Sequence, residues 1–275
     1  MSKYQNLKDF LTEQNILDFN IKSVDINFIS NYDIWLTNKD EINSKNYKAR
    51  CLQSLVRVIS FAVFKGYLKQ NILKYYNIEK APSKEPEYIT HKELLIFQSF
   101  KFVSPTLQRV ADTFILQCCT SLDYADLVTF NKKKHLKNIE GMLWIIKKRE
   151  KAAKGSERQI TKIPLLPQTF NIFEKYNWKI PLWNNVRCKN MSYDKYRTYL
   201  KQCASILNIN INVVTKTGRR TFINLMHEKG VPVDDITAMV GHNKTSTTQN
   251  FYLRFSTKRI RMTIEKVFGK DFMAG

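Results

Sequence analysis

The sequence predicts a mainly α-helical chain of two domains with one small antiparallel β-sheet. Three observations lead there. Apolar residues recur at helical spacing through most of the 275 residues. Residues 80–87, KAPSKEPE, combine two prolines with mixed charge, which is linker composition, and they divide 1–82 from 83–275. One segment alone, 135–164, turns to β-branched and aromatic runs.

Residues 1–82 read as helical. Asp25 is placed to cap a helix whose Ile26, Phe28, Ile29, Tyr32 and Leu36 share a face. Ser44 caps a longer helix from Lys45 to about Lys65, closed by Gly66, with Leu52, Leu55, Val56, Ile59, Ala62 and Val63 inward. Lys45, Lys48, Arg50 and Arg57 fall on that helix. They are candidate contacts to a phosphate backbone, or the solvated face of a small bundle. After the linker, Thr90 and Glu93 form a capping box, and Ser104-Pro105 opens a helix with Val110, Phe114, Ile115 and Cys118 inward. Asp123 stands where it can cap a short helix, Tyr124 to Val128.

Met142 to Ile146 and Gln159 to Leu165 are strands, joined by the lysine-rich stretch from Lys147 to Arg158. Pro164 to Pro167 ends the sheet and starts a helix through Tyr176, residues 178–190 form a loop, and Ser192 to Leu207 is amphipathic. A helix carrying Lys216 and Arg219 on one face closes at Gly230, and a short one covers Asp234 to Val240. Thr257 to Phe268 is a last, basic helix.

Composition narrows the function. Forty-five basic against twenty-four acidic residues give a net charge of +21. The excess is uneven, +4 over residues 1–82 and +17 over 83–275, with +8 between 132 and 162 alone. A polyanion is the expected partner, nucleic acid first. No apolar run reaches the roughly 18 residues that a membrane span needs, and the N-terminus has no signal segment. Cys51, Cys118, Cys119, Cys188 and Cys203 form no CxxC pair, and with four histidines they offer no metal-ligand spacing. A reduced cytoplasmic protein without metal or cofactor is expected. Cys118 and Cys119 read as core filler.

The chemistry concentrates near the C-terminus. Lys216 and Arg219 precede Gly241-His242, and Tyr252 follows ten residues after His242. This order resembles the active-site region of the tyrosine recombinases, the phage-integrase family, and the resemblance extends over nearly the whole chain. It implies a helical core-binding domain, 1–82, and a catalytic domain, 83–275, closing as a clamp round double-stranded DNA. It implies site-specific cutting and rejoining through a 3′-phosphotyrosine intermediate, as in the integration and excision of mobile elements. The working assembly would be a homo-tetramer on synapsed DNA near the nucleoid, with accessory DNA-bending proteins as further partners.

Carried onto this chain, the resemblance makes Tyr252 the nucleophile, Arg219 the main phosphate clamp, His242 a hydrogen-bond partner of the phosphate and Lys151 the general acid. Lys147, Lys148, Arg149, Lys154 and Arg220 become DNA contacts. Two positions depart from the pattern. Lys216 stands where histidine is usual, a permanent cation and a poor base. The family's Thr-Gly-Leu-Arg turn reads Thr120-Ser121-Leu122-Asp123, so an aspartate replaces an arginine that binds the scissile phosphate. A carboxylate cannot take that role. Lys216 is the expected electrostatic substitute, and a catalytically weak or inactive DNA-binding regulator or architectural protein is the alternative function.

Overall fold

The computed structural model describes residues 2–252 except 41, 43, 83–84, 152–158, 183–190 and 243–244, with backbone only for 249–252. The chain forms two compact units, Met1–Lys84 and Glu85–Gly275.

The first unit holds helices α1 (Lys3–Glu13), α2 (Ile26–Asn38) and α3 (Lys45–Phe64). Their starts follow from side chains that satisfy otherwise orphaned backbone donors. Asp25 Oδ1 accepts from the Phe28 amide at 2.7 Å, and Ser44 Oγ from that of Tyr47 at 3.3 Å. Gly66, at φ +78°, turns the chain out of α3. Ile29, Tyr32 and Leu36 pack against Phe10, Leu52, Leu55 and Ile59 in one core. Ile26, expected on the same face, stays exposed at the first position of α2.

The second unit is built round α5 (Pro105–Thr120), which is buried from Val110 to its end. Ahead of it runs α4 (His91–Ser99), opened by the Thr90–Glu93 capping box. Two short helices follow, α6 (Tyr124–Val128) and α7 (Lys132–His135). Then come β1 (Leu136–Ile139), β2 (Met142–Lys148) and β3 (Ile160–Pro164), an antiparallel sheet in the order β1-β2-β3. Strand β1 adds to the two strands expected from sequence. Glu140 and Gly141, at φ +52° and +81°, make the two-residue turn that pairs Ile139 with Met142.

The rest of the unit is α8 (Pro167–Lys175), α9 (Tyr193–Ile206), α10 (Thr215–Glu228), α11 (Val233–Met239) and α12 (Thr245–Tyr252). Helices α4, α8, α9 and α10 pack on α5, so its C-terminus is fixed from several sides. A smaller core of Ile163, Phe222, Ile223, Ile236 and Val240 draws β3, α10 and α11 together. The expected basic helix at 257–268 lies outside the described residues. Among those described, no helix is long and apolar enough to cross a membrane.

Candidate functional site

Helix α5 ends where Ser121 takes a left-handed conformation, φ +56°. This is the place of the glycine in the resembled turn. A non-glycine residue there is strained by roughly 1–2 kcal/mol, and the surrounding bonds hold it. Ser121 N donates to the Gln117 carbonyl, and Gln117 Nε2 donates to the carbonyl of Leu122 at 3.1 Å. The turn presents the Ser121 carbonyl to Arg219 of α10.

Helix α10 approaches α5 closely at Gly218. A Cβ built there would lie 2.6 Å from Gln117 Cβ. Glycine therefore sets the distance at which the next residue, Arg219, reaches the turn. Gly218→Ala is expected to lower stability by about 1–3 kcal/mol through overpacking and to slow whatever reaction Arg219 serves. Denaturant midpoints unchanged from wild type would show that the close approach relaxes at no cost.

Arg219 is 1% exposed. Its Nη1 donates to the Ser121 carbonyl at 2.9 Å, and Nη2 to the Val240 carbonyl at 2.6 Å. Nη2 also lies 2.9 Å from His242 Nε2. One guanidinium thus joins the end of α5, the end of α11 and the histidine that follows. Because arginine only donates, Nε2 accepts and the ring proton sits on Nδ1, 2.9 Å from Thr248 Oγ1 in α12. Thr248 Oγ1 is in turn 2.8 Å from Thr237 Oγ1. Burial pushes the His242 pKa down to about 3, helped by the Arg219 and Arg149 charges and opposed by Asp123, so the imidazole is neutral near pH 7.

Gly241, at φ +64°, holds His242 in place, and a Cβ on it would come within 2.9 Å of the Ile160 carbonyl. The start of β3 therefore lies against the glycine-histidine turn, which brings the β2–β3 hairpin to the same spot. Three bonds fasten the end of β2 to α6. Arg149 Nη2 donates to Asp123 Oδ2 at 2.9 Å. The Glu150 amide donates to Asp126 Oδ1 at 2.7 Å, and the Thr129 hydroxyl donates to Glu150 Oε1 at 2.7 Å.

Several sequence expectations change here. Asp123 occupies the N-cap position of α6 but makes no capping bond, because its carboxylate turns to Arg149 instead. Lys147, read as a DNA contact, is 3% exposed and paired with Glu150 at 2.7 Å. Its position in the strand points inward, so it is not a surface charge. Lys48 is half-buried and paired with Asp33 at 2.9 Å, whereas Lys45, Arg50 and Arg57 are exposed on α3. Both nitrogens of His242 are engaged within the protein, so a bond to phosphate needs the Arg219 contact to exchange.

Arg219 and His242 are brought together. Lys151 is exposed directly after the anchored Glu150, Lys148 is exposed, Lys216 is exposed on the first turn of α10, and Arg220 is half-buried. Tyr252 is the last residue of α12, with its side chain outside what is described, and Lys154 lies outside as well. Thr248 and the Asp123–Arg149 pair escaped the sequence reading. Asp123 and Arg149 are 26 residues apart, and no local pattern links them. Among the described residues no cluster of histidine, cysteine and acidic side chains could hold a metal. A cavity of about 970 Å³, lined among others by Lys132, Lys133, Lys175 and Trp178, shares no residue with the site.

Comparison with known proteins follows the same lines. No protein-family model matches the chain. It is 25% identical to the integrase of Staphylococcus phage L54a over 298 residues, 93% of this chain and 82% of that one. Its fold matches the Tn1549 transposon integrase in complex with transposon right end DNA, with a TM-score of 0.70 at 14% identity, covering 96% of this chain and 92% of that one. It matches the XerH site-specific recombinase bound to palindromic difH substrate, with a TM-score of 0.66 at 12% identity, covering 96% and 77%. A lambda integrase dimer bound to a COC′ core site gives 0.65 at 12% identity, covering 92% and 91%.

Proposed function

We propose that this chain, which has the fold of the tyrosine recombinases, is a site-specific DNA recombinase of the integrase kind. The observation that carries the reading is the buried Arg219, joined to the α5 turn and to His242, with Gly241-His242 placed on the β2–β3 hairpin. This sets the segments that bear Arg219 and His242 against the start of β3 within one unit.

Cutting and rejoining DNA without a high-energy cofactor requires that the phosphodiester bond energy be kept in a covalent intermediate. The Tyr252 phenol gives its proton to solvent water and attacks phosphorus. A 3′-phosphotyrosyl bond forms and the bond to the 5′-oxygen breaks. That oxygen takes a proton from Lys151, the general acid. The 5′-hydroxyl of a second strand then reverses the step and releases Tyr252. Negative charge builds on the non-bridging oxygens in the transition state, and Arg219 neutralises it from a fixed position. Neutral His242 orients Arg219, and it becomes a phosphate donor once that contact exchanges and the ring proton moves from Nδ1 to Nε2. Lys216 adds a second cation.

Unit one supplies the core-binding domain and unit two the catalytic domain, and each contacts duplex DNA. Four protomers on two duplexes exchange strands in the cytoplasm at the nucleoid, with DNA-bending proteins assisting. Incubated with nicked duplexes of randomised sequence, the full chain is expected to yield a detergent-resistant protein–DNA adduct. An intact protein that retains DNA but forms no adduct would be a DNA-binding regulator instead.

Salt dependence tests the part of unit one in binding. Log affinity should fall linearly with log salt, by about 0.9 for each phosphate neutralised. Replacing Lys45, Arg50 and Arg57 together by alanine should make that slope shallower, by about 0.9 for each phosphate that these side chains neutralise. A slope equal to wild type would remove this face of α3 from the DNA interface.

A further inference from the structure

We infer that Arg149 supplies, from the end of β2, the phosphate-binding guanidinium that the α5–α6 turn lacks, and that Asp123 is the side chain that positions it. The inference rests on the strand-exchange reading.

The turn is held at both ends by arginines. Arg219 Nη1 donates to the Ser121 carbonyl at 2.9 Å, and Arg149 Nη2 donates to the Asp123 carboxylate at 2.9 Å. Two residues of chain span at most about 7 Å, and both guanidinium charges act on the same His242 imidazole. Arg149 and Asp123 are mostly buried, with side chains 16% and 13% exposed. The backbone that carries Arg149 is fixed on both sides. Its amide donates to the Gln159 carbonyl at 3.0 Å, and the next residue, Glu150, is bonded to Asp126 and Thr129 of the α6 region.

The pair is also incomplete. Arg149 Nε is buried and has no hydrogen-bond partner among the described residues. A guanidinium has a planar fork of donors suited to phosphate, and Asp123 engages it through one nitrogen. A buried donor left unsatisfied is costly, and an incoming phosphate oxygen would satisfy it. The charge on Arg149 also reaches His242, where it helps Arg219 to depress the imidazole pKa. In the protein without DNA, Asp123 offsets the Arg149 charge and keeps that side chain on the turn. Without Asp123, Arg149 keeps its charge and loses its aim.

The test uses the full chain and a nicked duplex recovered as a covalent adduct from the randomised pool. A second version of that duplex carries a methylphosphonate at the scissile position, where a methyl group replaces one non-bridging oxygen and removes the negative charge. Arg149→Ala is expected to slow adduct formation about a hundredfold or more on the phosphodiester, and to recover much of the loss on the methylphosphonate. Asp123→Asn should show a smaller loss with the same preference for the neutral substrate.

Wild-type rates on the phosphodiester for Arg149→Ala would overturn the assignment. So would a loss of equal size on both substrates, which is what a merely structural role produces. For Asp123, a substrate preference in Asp123→Asn no different from wild type would remove the positioning role. Wild-type protein that forms no adduct at all would end the strand-exchange reading itself, and this inference with it.

Discussion

Tyr252→Phe is expected to abolish the covalent adduct and leave DNA binding intact. The substitution removes one oxygen and keeps the ring, so packing and phosphate contacts survive while the only atom able to bond phosphorus is lost. Tyr252 closes α12, the helix whose Thr248 receives the His242 Nδ1 proton. That link runs from the helix of the proposed nucleophile, through His242, to Arg219. The check is a denaturing gel for the adduct beside a mobility-shift assay for binding. Adducts persisting in this variant, mapped by peptide sequencing to another tyrosine, would refute the assignment.

Arg219 is expected to show the next largest effect, and on two quantities at once. Arg219→Ala leaves the Ser121 and Val240 carbonyls without their charged donor in a buried site. Each such loss costs about 1–3 kcal/mol, so denaturant unfolding should show a clear destabilisation. Strand cleavage should fall by a factor of about 100–1,000, the usual result of removing one fixed donor to a developing oxyanion. Arg219→Lys separates the two. An ammonium keeps the charge, but it cannot reach two carbonyls and His242 together as the planar fork does. Stability should return in part while cleavage stays at least about tenfold down. Cleavage by Arg219→Lys at the wild-type rate would show that charge alone is needed and that the geometry described for Arg219 is incidental.

Helix starts and ends were legible in the sequence, because capping is local chemistry. Asp25, Ser44, Thr90 and Ser104 each accept from an amide three residues on, as their residue types and spacing imply. Gly66 and Gly230 take the positive φ that ends α3 and α10. The mainly helical fold with one small antiparallel sheet was legible too, because hydrophobic period is a property of the chain alone. Strand β1 was not, since Leu136–Ile139 gains its identity from pairing with β2 and from a turn in which Glu140 takes a left-handed conformation.

The site divides in the same way. Arg219, Gly241 and His242 were singled out because their order in one short stretch resembles that of the tyrosine recombinases. The sequence by itself determined which residue types are available to the site and that the α5–α6 turn ends in Asp123. It also determined the basic excess of residues 83–275. Only the tertiary structure decided which charges are usable. It buried Lys147 on Glu150 and turned Asp123 away from its helix. It also set Arg149 on Asp123 at the α5–α6 turn. The physical reason is that a charge acts over a few ångströms whatever the chain distance. Strand register and helix packing, not sequence neighbours, choose its partner.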